Sequence, residues 1–217
     1  METNNKQNDN EKNLNTSLDA YLNQGNDPNM DCSSGVCVIK GDKSLVSDKE
    51  YTSFKIHLEW KVSPGSNSGF FWGVKEDEKY EFPFVTGPEI QILDPKNPDG
   101  PLTQAGALYG MIAPSEWVTN PAGEWNSYDI TINHNINKGT VVHNGTKIVE
   151  FPLSGDEWDT MVEPTKFNNC DQKPWQNFGQ GNGMFRIAML YHPALAPRYN
   201  KYLLHLQNVR FPTLNLL

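Results

Sequence analysis

Nine consecutive residues, Phe54-Lys55-Ile56-His57-Leu58-Glu59-Trp60-Lys61-Val62, alternate apolar and polar side chains without a miss. A strand repeats every two residues and a helix about every 3.6, so this segment is predicted to be a strand with one face against a core. Phe54, Ile56, Leu58, Trp60 and Val62 share the inward face, and Lys55, His57, Glu59 and Lys61 the outward one. Such a strand needs a second layer to cover it. Further strands are read at Gly69 to Val74, Pro88 to Leu93, Leu108 to Ile112, Tyr128 to Asn133, Thr140 to Asn144, Lys147 to Phe151, Phe185 to Leu190 and Leu203 to Phe211. Turn residues punctuate nearly all of them, as the 17 Gly and 15 Pro of the chain allow.

The segments ending Val142-His143 and starting Lys147-Ile148 flank Asn144-Gly145, the pair that best adopts the two positive φ angles of a type I′ hairpin turn. Asn144-Gly145-Thr146 also matches a glycosylation acceptor, but turn chemistry explains the same residues. Consecutive hairpins with short connections predict an all-β fold of two antiparallel sheets stacked as a jelly-roll sandwich. Helix is expected only locally, as in a short turn around Asn15 to Leu22.

The length, 217 residues, suits one domain plus a tail. Met1 through Asn15 is too polar to fold alone, so residues 1–30 are read as a tether and 31–217 as the sandwich domain. A net charge of -8 disfavours nucleic acid and anionic membranes as partners, because both reward clustered Lys and Arg. No apolar run approaches the roughly 20 residues that span a bilayer. The tether fits an exported protein, periplasmic or extracellular, with a lipid anchor upstream as one arrangement; a cytoplasmic N-terminus is the other reading. Cys32, Cys37 and Cys170 lack the paired spacing of a zinc site. Cys32 and Cys37 flank a Ser-Ser-Gly turn that brings them within disulfide range in an oxidising compartment, or they are small residues at a strand start. Cys170 has no base near it in sequence and reads as structural.

Two segments carry candidate chemistry. Between Asp156 and Asn182, Trp158, Phe167, Trp175 and Phe178 stand among Pro, Asn, Gln and Gly without a helix or strand period. This is read as a long loop whose aromatics either stack on a sugar or pin the loop to the sandwich. In Thr86-Gly87-Pro88-Glu89-Ile90-Gln91-Ile92-Leu93-Asp94, Glu89 and Gln91 share one face while Ile90 and Ile92 enter the core. Asp94 breaks the alternation, so either the strand ends there or a bulge returns it to the Glu89 face. A carboxylate, an amide and a second carboxylate supply an acid or base and hydroxyl-binding groups suited to sugars. Five steps of extended strand separate Glu89 and Asp94 by roughly 16 Å, whereas a retaining glycosidase needs its carboxyls about 5 Å apart. Paired displacement by these two groups is therefore disfavoured.

Several motifs, in order, resemble the 3-keto-disaccharide hydrolase domain family. They are Leu58-Glu59-Trp60-Lys61, Asn67-Ser68-Gly69 with Phe70-Phe71, Glu89 to Asp94, Gly106-Ala107-Leu108-Tyr109-Gly110, Pro121 to Asn126, Asn144-Gly145, His192, and Asn208-Val209-Arg210-Phe211. The resemblance runs from about Gly35 to Phe211. Met189-Leu190-Tyr191-His192 departs from the family's Leu-Gln-Asp-His by losing two polar positions.

The resemblance implies a concanavalin A-like lectin and glucanase sandwich that hydrolyses glycosides oxidised at carbon 3. A 3-ketone acidifies the carbon-2 proton, so a base can start an elimination that hydration completes, and no oxocarbenium ion is needed. It implies Glu89 as base, Asp94 or His192 as acid or orienting group, and Gln91, Asn67 and Tyr109 as holders of substrate oxygens. Trp125 is expected in the core, Asn126 bonded to nearby backbone, and Asn67-Ser68-Gly69 either in a turn or on the site wall. No cofactor or dedicated metal site is expected. A non-catalytic lectin-like module is the alternative.

Overall fold

The computed structural model describes residues 30–31, 37–40, 44–46, 51–74, 83–96, 98–169, 186–191 and 203–210. The predicted turn at Asn15 to Leu22 lies outside them, as do Cys32, Cys170, Trp175, Phe178 and His192. Among the described residues are eleven strands. They are β1 (Met30–Asp31), β2 (Cys37–Lys40), β3 (Ser44–Val46), β4 (Phe54–Val62), β5 (Asn67–Val74), β6 (Glu89–Leu93), β7 (Asn126–Asn133), β8 (Lys138–His143), β9 (Thr146–Phe151), β10 (Arg186–Tyr191) and β11 (Leu203–Arg210). All pairings are antiparallel. One sheet runs β1-β2-β11-β4-β7-β8-β9 and the other β3-β10-β5-β6, so the predicted two-sheet sandwich is the fold.

Strand β4 matches the alternation residue for residue: Phe54, Ile56, Leu58, Trp60 and Val62 are buried and the residues between them are not. Its neighbour β7 repeats the pattern with Asn126, Tyr128, Ile130 and Ile132 inward, in register from Phe54↔Ile132 to Trp60↔Asn126. The opposing sheet contributes Phe70, Trp72, Ile90 and Ile92 to the same core. Rings from the two sheets meet directly. Phe54 lies 6.3 Å from Phe70, and Trp72 stacks on Phe151 at 5.5 Å. Burying each side chain of this size contributes roughly 1.5–3 kcal/mol. The sheets are also joined by a buried hydrogen bond, since the Tyr128 hydroxyl donates to the Gln91 carbonyl at 2.7 Å.

Asn144 and Gly145 both have positive φ, 48° and 84°, as the predicted turn requires. The Asn144 amide donates to Val118 O at 2.8 Å and to Asn126 Oδ1 at 2.9 Å, and its oxygen accepts from Ser127 N at 2.8 Å. A side chain so engaged has an architectural role, which favours the turn reading over glycosylation.

Three expectations change, and one open choice is decided. Leu108 to Ile112 is not a strand: Gly106 and Gly110, at φ 86° and 72°, fold it into turns, with Met111 N and Ile112 N both donating to Leu108 O at 2.9 Å. Only an isolated bridge, Ile90↔Leu108, ties it to β6. Asn67-Ser68-Gly69 is not a turn but the start of β5, paired with Leu93, Ile92 and Gln91. The tight turn precedes it, at Gly65 (φ 79°). Asp156–Val162 is a helix, α1, rather than loop; three acidic residues in its first turn suit the positive end of the helix dipole, and Trp158 anchors it to the core. Trp125 lies at the surface, partly exposed, with the Lys61 ammonium 4.8 Å from its ring centre. Asn126, in contrast, is buried and accepts from Asn120 N at 2.8 Å, as expected of it.

Candidate active site

In the β5–β6 pair, directly opposed residues share a face, so Phe71↔Glu89 and Gly69↔Gln91 line the side opposite the Phe70↔Ile90 pair that enters the core, with Asn67 following along the same face of β5. The pairing is continuous, without a bulge. Glu89 extends diagonally across its partner strand onto Gly69. A methyl at Gly69 would overlap Glu89 Oε1 and stand 2.7 Å from its Cγ and Cδ, so the carboxyl occupies space that only glycine leaves.

Glu89 keeps slight solvent contact, but the atoms crowding its carboxyl hold it in a poorly solvated setting. Desolvation disfavours the charged form and raises the pKa to about 8; the Lys166 ammonium acts in the opposite sense and less strongly. The segment 104–110 closes one side. Tyr109 N donates to Glu89 O at 3.0 Å, while Gln91 N donates to Ala107 O at 3.0 Å and Gly106 N to Gln91 O at 2.9 Å. The Tyr109 phenol is held protonated above its ordinary range by desolvation first, then by the negative charges of Glu89 and Asp99. A turn of 3-10 helix, Lys166–Asn169, forms the next wall. Phe167 meets the Tyr109 ring edge-on at 6.2 Å, and Lys166 Nζ lies 4.9 Å from the Tyr109 ring centre.

The other predicted residues are placed unequally. Asn67 is half-buried on the Glu89 face. Gln91 is on that face but buried, with its amide oxygen accepting from Ile92 N at 3.0 Å. Asp94 is not brought to Glu89. Strand β6 ends at Leu93, and the Asp94 carboxylate accepts from Gly65 N at 2.7 Å and Lys96 N at 3.0 Å, so it locks the turn that feeds β5. His192 lies outside the described residues. Trp158 and Phe167, two of the four loop aromatics, are buried and pin their segment to the sandwich.

Sequence reasoning missed Lys166, which sits in a polar stretch with no period to flag it, and the space-giving role of Gly69. It also missed the support beneath the site. Asn126 Oδ1 lies 3.3 Å from His143 Nε2, the His143 ring packs edge-on against Tyr128 at 4.7 Å, and Tyr128 holds the Gln91 carbonyl. Burial lowers the His143 pKa to about 4, which keeps this layer neutral. Among the described residues no group of three or more His, Cys, Asp or Glu is arranged to hold a metal ion, and no helix is long and apolar enough to cross a membrane.

The model of one protein family, the 3-keto-alpha-glucoside-1,2-lyase-like domain, matches residues 5–186. The chain belongs to this family. The 3-keto-alpha-glucoside-1,2-lyase-like match begins upstream of the 31–217 domain read from the sequence. A 3-keto-disaccharide hydrolase of Bacteroides thetaiotaomicron is 33% identical over 140 residues, which are 57% of this chain and 47% of the relative. The chain thus spans about half the length of that relative. The crystal structure of a putative glycosyl hydrolase from Parabacteroides distasonis superposes with a TM-score of 0.71 at 25% identity over 86% of this chain and 84% of that one. A second from the same organism gives 0.65 at 22% identity over 88% and 92%, which speaks for the fold alone.

Proposed function

We propose that this domain cleaves glycosides whose sugar is oxidised at carbon 3, by elimination followed by hydration, with Glu89 as the general base. The observation that carries the reading is a poorly solvated carboxyl seated over Gly69, while Asp94, the other carboxylate of this segment, is engaged at the Gly65 turn instead of pairing with it. A desolvated carboxylate is a stronger base than one in water, and a proton next to a ketone is acidic enough for it to remove. A lyase-like family description and a hydrolase relative are both consistent with elimination completed by water.

In this reading Asn67 and Tyr109 hold substrate oxygens, with Tyr109 donating from its protonated phenol. Gln91 contributes through the shape of β6 more than through its amide oxygen, which is already engaged. Asp94 acts as a positioning residue through the Gly65 turn, and the acid role falls to His192. The disulfide at Cys37 supports an oxidising compartment, hence the periplasm or the cell exterior.

The test is incubation with paired native and 3-oxidised disaccharides. Turnover of the oxidised member alone, abolished by Glu89→Gln, supports the assignment. Turnover of the native disaccharide, or of the oxidised one by Glu89→Gln, would refute it. Sugar affinity in both proteins without turnover in either would identify a lectin-like module.

A further inference from the structure

When a base removes the carbon-2 proton, negative charge moves from the carboxylate to the ketone oxygen, and a group must meet it there. We propose that Lys166 is a catalytic residue of this site, whose ammonium stabilises the ketone oxygen as it becomes an enolate. The inference rests on the elimination chemistry proposed above.

The geometry points to Lys166 because its ammonium and the base flank one residue. Nζ lies over the Tyr109 ring at 4.9 Å and near the Phe167 ring at 5.2 Å, while the Tyr109 backbone N–H donates to the Glu89 carbonyl at 3.0 Å. The position is held from behind. Phe167 is buried, its N–H donates to Thr165 Oγ1 at 3.1 Å, and that hydroxyl donates to Val162 O at 2.7 Å at the end of α1. Lys166 itself is exposed, so a bound sugar can reach the ammonium. Its influence on the Glu89 carboxyl agrees with this proximity. A cation within reach of the oxygen where charge develops stabilises the transition state more than the neutral ketone.

The step balances as follows. Glu89 takes the carbon-2 proton; the C–H electron pair forms the carbon-2 to carbon-3 double bond, and the carbonyl pair moves to the oxygen facing Lys166. That oxygen then re-forms the carbonyl, the carbon-1 to carbon-2 double bond forms, and the glycosidic bond breaks with its pair on the departing oxygen. The departing alkoxide takes up a proton and leaves as the alcohol; water then adds across the enone, its hydroxyl to carbon 1 while the proton held by Glu89 returns to carbon 2, which gives the free 3-keto sugar and restores the base.

The test uses the full chain and a para-nitrophenyl 3-keto-glucoside in both anomeric forms. Its leaving group needs no acid, so release reports on enolate formation. Lys166→Met, which keeps the stem and removes the charge, is expected to lower kcat by roughly ten- to a hundredfold with KM little changed, less than the ~10²–10³ lost with a buried oxyanion donor because Lys166 is exposed. Its acid limb should move to higher pH as Glu89 loses a neighbouring cation, and Lys166→Arg should recover much of the rate. A Lys166→Met protein with unchanged kcat and unchanged limb would overturn the role of Lys166 while leaving Glu89 in place. Turnover surviving in Glu89→Gln would overturn the underlying reading instead, and a wild type inert on both anomers would overturn both.

Discussion

The carboxyl of Glu89 lies where a side chain at Gly69 would be. A glycine in a strand interior weakens the strand unless something approaches its backbone closely, and here the approaching group is the candidate base. Gly69→Ala forces the flexible Glu89 side chain aside, and because that chain can swing, folding suffers less than chemistry does. The expected outcome is a melting temperature lowered by only a few degrees, with loss of most turnover of a 3-keto-disaccharide. Equal losses in an assay-independent stability measurement and in activity would point to general disruption.

Glu89 also sets a trade between stability and function. Its folded pKa of about 8 is above the ordinary value of 4.5, so the folded state holds a proton that the unfolded chain releases. Stability is full below about pH 4.5 and declines as pH rises toward 8. Each unit is worth about 1.4 kcal/mol, so with allowance for residual solvent contact Glu89→Gln should be more stable than wild type by on the order of 2–4 kcal/mol at pH 8 and nearly equal at pH 4. Urea titrations at the two pH values measure the difference; a variant no more stable at pH 8 would contradict the burial of this charge.

The acid side has the opposite sign. His143 and His134, with folded pKa values lowered by burial to about 4 from 6.5, contribute stability that is present above pH 6.5 and lost as pH falls through 6.5 toward 4. Melting temperatures should therefore fall across that window, and His143→Gln should flatten part of the slope. Since His143 supports Tyr128 and through it β6, a steep slope retained in the variant would show that other groups govern acid unfolding.

The hairpin offers a test of stability that involves no residue proposed to touch substrate. Gly145 has φ 84° and open space around it, so Gly145→Ala carries backbone strain without a clash, about 1 kcal/mol. Asn144→Ala removes three hydrogen bonds to the 118–127 region and should destabilise more, by roughly 1–3 kcal/mol. Chemical denaturation of the two variants checks the order.

What the sequence made legible follows from period. The strict alternation of β4 and the Asn-Gly turn are local signals, and both reappear unchanged. The face shared by Glu89 and Gln91 was likewise readable, because side-chain direction in a strand depends only on position. Asp94 was open: the break in alternation allowed a strand end or a bulge, and the choice was made by Gly65 and Lys96, whose N–H groups take the carboxylate. The segment Leu108 to Ile112 looked extended by composition, but Gly110 at positive φ bends it. Lys166 and Gly69 were illegible for another reason. Their importance lies in contacts across the fold, to Tyr109 and Glu89, and no local pattern encodes these.

The central claim, that Glu89 removes the carbon-2 proton of a 3-keto-glycoside, is tested most directly by isotopic substitution at that carbon. Turnover of a 3-keto-disaccharide carrying deuterium at carbon 2 is predicted to be severalfold slower than that of the protiated substrate in the wild type. Equal rates, with turnover still dependent on Glu89, would contradict elimination and return the site to direct hydrolysis.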